Sequence, residues 1–133
     1  MAKKASLVRL DHIEYIVRDV DQFVKFLEML GFEIVRRTEH HHGSAEMKLP
    51  GEKQPIIEIH GVEKDENPGI NHIAFVAENI DEVAKVLDQK EIEHRGPFYF
   101  EPTGRMLLNF RDPDGFRFQV TSEAKPQKKE SAA

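Results

Sequence analysis

The chain of 133 residues predicts an α+β fold built from two βαβββ modules. Three observations predict it. The segment "LDHIEYIVRDVDQFVKFLEML" (10–30) lies over "INHIAFVAENIDEVAKVLDQK" (70–90) without a gap, displaced by 60 positions. Each copy switches from a run of β-branched and aromatic residues to the spacing of an amphipathic helix. Each copy is then followed by three short strand-like segments punctuated by turn-forming residues.

The first module opens with a strand over 8–17. Asp19 and Asp21 suit the start of a helix, where a short polar side chain can accept from orphan backbone N–H groups. Val20, Phe23, Val24, Leu27 and Leu30 then recur at i, i+3, i+4 and i+7, one apolar stripe for packing on a sheet. Gly31 suits the helix stop. Strands are expected over 32–39, 44–49 and 55–61, with "LPGEKQP" as the turn between the last two. Residues 62–69 read as a linker. The second module repeats the order, with a strand over 70–77 and capping candidates Asn79 and Asp81. Its stripe is Ile80, Val83, Ala84 and Leu87, and its strands are expected over 92–99, 105–111 and 116–122. In "RDPDGF" Pro fixes φ and Gly tolerates positive φ, which makes a turn before the last strand. The halves 7–61 and 70–123 thus form one domain over 1–123, and the polar, aperiodic 124–133 is expected to be a disordered tail. One helix should cover the outside of each mainly antiparallel sheet.

Composition narrows the function classes. The chain is 39% hydrophobic and 32% charged, which suits a soluble globular domain with a real core. Its formal net charge of −5 argues against a nucleic-acid partner, which would call for a basic face. With no cysteine, disulfides, thiolate metal sites and cysteine nucleophiles are excluded. No apolar run is long enough for a membrane span and no signal core follows the N-terminal lysines, so a cytoplasmic protein is expected.

Strand alternation sorts the polar residues. In the first strand Ile13, Tyr15 and Val17 share the helix-facing side, and His12, Glu14 and Ile16 share the other. In the second copy Ile73, Phe75 and Ala77 oppose His72, Ala74 and Val76. In the last strands of the halves, Ile57 and Ile59 oppose Glu58 and His60, and Phe116, Phe118 and Val120 oppose Arg117, Gln119 and Thr121. Sheets curved around one hollow would turn that second face into a cleft lined by two His, a Glu and a Gln. Two imidazoles and a carboxylate suit one divalent metal, Zn, Ni, Co, Mn or Fe. Glu14 and Arg117, on the same face, are the candidates for contact with a substrate. His40, His41 and His42 precede Gly43 and read as a solvated loop.

"LDHIEYIV", "GFEIVRR", "IIEIHG", "INHIAFVA", "IDEVAKVL" and "RDPDGFRFQV" together resemble the vicinal oxygen chelate superfamily, across about residues 7–123. That superfamily includes glyoxalase I, methylmalonyl-CoA epimerase, extradiol dioxygenases and bleomycin-binding proteins. The resemblance implies a metal cleft with ligands from the first and last strand of each half. Carried residue by residue, these are His12, Glu58, His72 and Gln119. The usual carboxylate of the last strand is replaced here by Gln119, which cannot take a proton, so Glu58 would act as both ligand and catalytic base, or Glu14 or a metal-bound hydroxide would serve as the base instead. The implied activity is that of a glyoxalase-like lyase or an isomerase or epimerase acting on an oxygen-chelating carbonyl compound. The alternatives are an Fe(II) extradiol-type dioxygenase and a non-catalytic, bleomycin-resistance-like binding protein. The resemblance also implies a homodimer with a small-molecule substrate.

Overall fold

The computed structural model describes residues 4–39 and 43–123. Among them are two helices and eight strands, in the order β1 (Leu7–Val17), α1 (Val20–Met29), β2 (Glu33–Thr38), β3 (Ser44–Lys48), β4 (Ile56–Gly61), β5 (Gly69–Ala77), α2 (Ile80–Gln89), β6 (His94–Phe100), β7 (Arg105–Arg111) and β8 (Arg117–Ser122). The order is βαβββ twice, an α+β fold. The chain forms two compact units. One lies within Leu10–Ala74, and the other joins the described residues up to Arg9 to those from Phe75 to Glu123.

In the unit Leu10–Ala74 the strand order is β2-β3-β4-β1, with the first part of β5 beside β1. β2–β3 and β3–β4 are antiparallel, whereas β1 and β4 run parallel. The sheet is therefore mixed, not simply antiparallel. The helix returns the chain, so β2 sets out in the direction of β1, and two hairpin reversals bring β4 back to that direction. Asp19 caps α1, its Oδ1 accepting from the backbone N–H of Gln22 at 3.0 Å. The stripe Val20, Val24 and Leu27 packs on Ala45, Met47 and Ile59, the core of this unit. Leu30, expected on that stripe, is exposed because the helix has already ended at its C-cap.

In the other unit β5 is followed by β8, β7 and β6. Asn79 caps α2 through the N–H of Glu82 at 3.2 Å. Ile80, Val83, Ala84 and Leu87 pack with Ala77, Leu108 and Val120. The turn before β8 is built by Asp112, whose Oδ1 accepts from the N–H groups of Asp114 and Phe116, both at 2.9 Å. Phe116 belongs to that turn and is 67% exposed, which corrects its expected place in the core. Phe118 is partly buried and stacks near Phe110 and Phe75.

By alternation Ile16 in the first unit, and Val76 and Thr121 in the second, lie on the strand face turned away from the helix, and all three are buried. The histidine run 40–42 and the tail 124–133 lie outside the described residues.

Candidate metal centre

His12, Glu58 and His72 come together within the unit Leu10–Ala74, with one donor atom of each inside 4.8 Å of the others. β1 supplies His12, β4 supplies Glu58, and the first residues of β5 supply His72. The parallel register of β1 on β4 sets His12 opposite Ile56 and Glu14 opposite Glu58, so His12 and Glu58 are diagonal neighbours on one face. Both rings are largely buried, and the Glu58 side chain is partly open to solvent.

The orientation of the rings is held by hydrogen bonds at Nδ1. Asp11 Oδ2 lies 2.7 Å from His12 Nδ1, and Asn71 Oδ1 lies 2.8 Å from His72 Nδ1. An acceptor oxygen at Nδ1 calls for a proton there, which in a neutral imidazole leaves the lone pair on Nε2. The two Nε2 atoms face each other at 3.1 Å, and Glu58 Oε1 lies 3.7 Å from that of His12. Two lone pairs at that distance repel unless a proton or a cation lies between them. Two nitrogens bound at about 2.0–2.1 Å to one ion, in tetrahedral or octahedral geometry, are about 2.9–3.4 Å apart. The donor set therefore fits a divalent metal by chemistry and by spacing.

The electrostatics favour a cation as well. Glu46 and Glu14 flank Glu58 from the neighbouring strands β3 and β1. Burial pushes the Glu58 carboxyl up to about 7 from its ordinary 4.5; His12 opposes this, while Glu14, Glu46 and Asp11 add to it. For His12, burial acts to lower the pKa, but the hydrogen bond it donates to Asp11 and the charges of Glu58, Asp11 and Glu14 outweigh it, and the net shift is upward. Carboxylates held this close in a desolvated place attract positive charge, whether protons or a metal ion.

Beside the triad a cleft of about 160 Å³ is lined by Glu14, Ser44, Glu46, Glu58 and His60 together with Ala45 and Ile59. Glu14 Oε1 lies 3.6 Å from His60 Nδ1 and 3.8 Å from His72 Nδ1. Glu14, expected as a substrate contact, is one of the residues that line this cleft. Gln119 lies in β8 of the other unit, opposite Asn109, to whose Oδ1 its amide nitrogen donates at 3.1 Å. Arg117, the other expected substrate contact, is exposed at the start of β8. Sequence reasoning missed Asp11, Asn71 and Glu46 as parts of this site. The first two carry a signal, since they occupy the same position of the repeat, one directly before the site histidine of each copy. Glu46 carries none, because the register that sets it against Glu58 is a tertiary fact.

A family model described as the glyoxalase/bleomycin resistance protein/dioxygenase superfamily matches residues 9–120. A curated Arabidopsis thaliana protein named Glyoxylase I 4 is 27% identical over 126 residues, covering 86% of this chain and 70% of that protein. A Streptomyces coelicolor methylmalonyl-CoA epimerase in complex with 2-nitronate-propionyl-CoA is similar in structure, with a TM-score of 0.70 at 20% identity, covering 90% of this chain and 100% of that one. The methylmalonyl-CoA epimerase of Mycobacterium tuberculosis has a TM-score of 0.74 at 16% identity, covering 94% of each chain. Homoprotocatechuate 2,3-dioxygenase of Brevibacterium fuscum has a TM-score of 0.66 at 25% identity, covering 96% of this chain and 42% of that one. With the repeated βαβββ order and a family match that spans most of its length, this chain belongs to the glyoxalase/bleomycin resistance protein/dioxygenase superfamily, the vicinal oxygen chelate group.

Proposed function

We propose that this protein is a metal-dependent enzyme that moves a proton beside a carbonyl group of a small, oxygen-chelating substrate, as an isomerase, epimerase or glyoxalase-like lyase. The observation that carries the proposal is the 3.1 Å approach of two Nε2 atoms whose rings are both engaged at Nδ1 by acceptor oxygens. His12, His72 and Glu58 would hold one divalent ion, which when bound supplies Lewis acidity to negative charge developing on substrate oxygens. All three donors lie in the unit Leu10–Ala74.

The chain's own carboxylates handle the proton. Glu58 serves as ligand and, since Gln119 cannot take a proton, as base; Glu14 and Glu46 line the same cleft and offer further carboxylate acceptors. Burial raises the Glu58 carboxyl to about 7 in the metal-free chain, so binding of a cation there would release a proton near neutral pH. Gln119 is kept as the proposed fourth, neutral donor on the strength of the family pattern alone. The similar fold of the methylmalonyl-CoA epimerases makes acyl compounds with an acidic α-hydrogen the first substrates to try.

A second reading is favoured by the donor set itself. Two histidines and one carboxylate are also the set used by non-haem Fe(II) oxygenases. Catechol-dependent O₂ uptake after Fe(II) loading separates the two. The cytoplasmic location and the homodimer are likewise proposals that rest on the sequence and the resemblance. No described helix is long and apolar enough to cross a membrane.

The decisive experiment starts with elemental analysis of protein purified without a tag or added metal. It is followed by NMR of α-proton exchange in D₂O, with Zn, Ni, Co or Mn restored. About one metal per chain and metal-dependent exchange are expected. A protein that neither carries nor takes up any of these metals is not this enzyme.

A further inference from the structure

Asp11 and Asn71 stand at the same place in the two repeats, each directly before a site histidine. In a regular strand, neighbouring side chains point to opposite faces. Both nevertheless reach the ring that follows them, Asp11 at 2.7 Å and Asn71 at 2.8 Å, and both do so at Nδ1. An unusual i,i+1 contact made twice, by different residue types and to the same ring atom, is a built feature of the site.

We propose that Asp11 and Asn71 are the positioning residues of this centre, an inference that rests on the metal reading above. Each holds its histidine in the Nδ1–H tautomer with Nε2 turned toward Glu58 and the opposite ring. Without such an acceptor an imidazole is free to carry its proton on Nε2, where it can no longer donate electrons to a metal. The two differ in strength. Asp11 offers a carboxylate, whose charge-assisted bond draws the Nδ1 proton and makes Nε2 a better donor; Asn71 offers only a neutral amide oxygen. His12 is therefore the stronger ligand and His72 the weaker, although they are twins in the repeat.

Two readouts test this in the full chain. The first is ¹⁵N NMR of the imidazole nitrogens, in metal-free and in Zn-loaded protein. The second is Zn affinity by competition with a chelator. Wild type should show protonated Nδ1 on both rings. Asp11→Ala and Asn71→Ala should each give mixed tautomers at the neighbouring histidine and bind Zn about 10–100-fold more weakly. Asp11→Asn should keep the Nδ1–H tautomer and lose less affinity than Asp11→Ala, a rescue that loss of folding would not produce. Asn71→Asp should bind Zn more tightly than wild type. Unchanged tautomers in both alanine variants overturn the proposal, as does an Asn71→Asp protein that binds more weakly. If wild type binds no metal, the enzyme reading and the ranking of donors fall together. The tautomers of the metal-free variants then still decide whether Asp11 and Asn71 set the rings.

Discussion

Gly31 and Glu91 occupy the same position, 60 residues apart, just past the ends of α1 and α2, and both have positive φ, 102° and 58°. The closing hydrogen bonds match. Gly31 N–H donates to Glu28 O and Glu91 N–H to Asp88 O, while the N–H groups of Phe32 and Ile92 reach back to Leu27 O and Leu87 O. This is the left-handed helix stop that glycine adopts without strain and a residue with a Cβ does not. Glu91→Gly is expected to stabilise the protein by about 1 kcal/mol, and Gly31→Ala to destabilise it by a similar amount. Thermal unfolding, with shifts of roughly 3–5 °C of opposite sign, checks both.

Stability of the metal-free protein should fall as pH rises across neutrality. Glu58 has a folded pKa near 7, above its ordinary 4.5, so the fold binds its proton more tightly than the unfolded chain does. The penalty for ionising it is absent below 4.5 and grows as pH rises to about 7. His12 is raised above 6.5; its contribution is complete below that value and is lost as pH rises through the folded pKa. Both groups act in the same direction. Tm should be lower at the alkaline end of this window, and Glu58→Gln should flatten the slope. Bound metal should oppose the trend, since its ligands must be deprotonated. A metal-free wild type whose Tm rises across this window would contradict the assignment.

Loss of the anionic ligand should cost more than loss of a residue that only orients one. Glu58→Gln is expected to weaken Zn, Ni or Co binding by more than the ~10–100-fold typical of an outer partner, measured by calorimetry on chelator-stripped protein. Gln119→Glu is expected to tighten it, because a carboxylate donates more than an amide oxygen. If Glu58→Gln binds like wild type, Glu58 is no ligand. If Gln119→Glu alone is silent, the site reduces to His12, Glu58 and His72.

Two apolar residues of one unit should respond very differently to truncation. Leu108 is fully buried against the α2 stripe, whereas Phe116 is 67% exposed in the turn before β8. Leu108→Ala should cost about 2–5 kcal/mol in denaturant unfolding. Phe116→Ala should stay within about 0.5 kcal/mol. A large effect at Phe116 would show that its ring packs against something, such as a second copy of the chain.

The local order of the chain was written in the sequence. The gapless repeat, the apolar stripes from Val20 and Ile80, the capping residues Asp19 and Asn79 and the turn at Asp112 are signals of short range, read from spacing and side-chain chemistry. The pairing of His12 with His72 was legible for the same reason, because duplication put each on an equivalent strand. Tertiary structure alone decided the rest. Only the parallel register of β1 on β4 sets Glu58 diagonally from His12, and only the β3–β4 hairpin sets Glu46 beside it. Alternation along a strand predicts that Asp11 and Asn71 point away from their histidines, and the fold turns them back to Nδ1. Phe116 looked like a core residue by parity until the hydrogen bonds of Asp112 drew it into the turn. Periodicity tells which face a residue shares with its own strand. What stands opposite it, and how charged that neighbourhood is, depends on strand register and on contacts between segments far apart in the chain, and no local pattern carries that information.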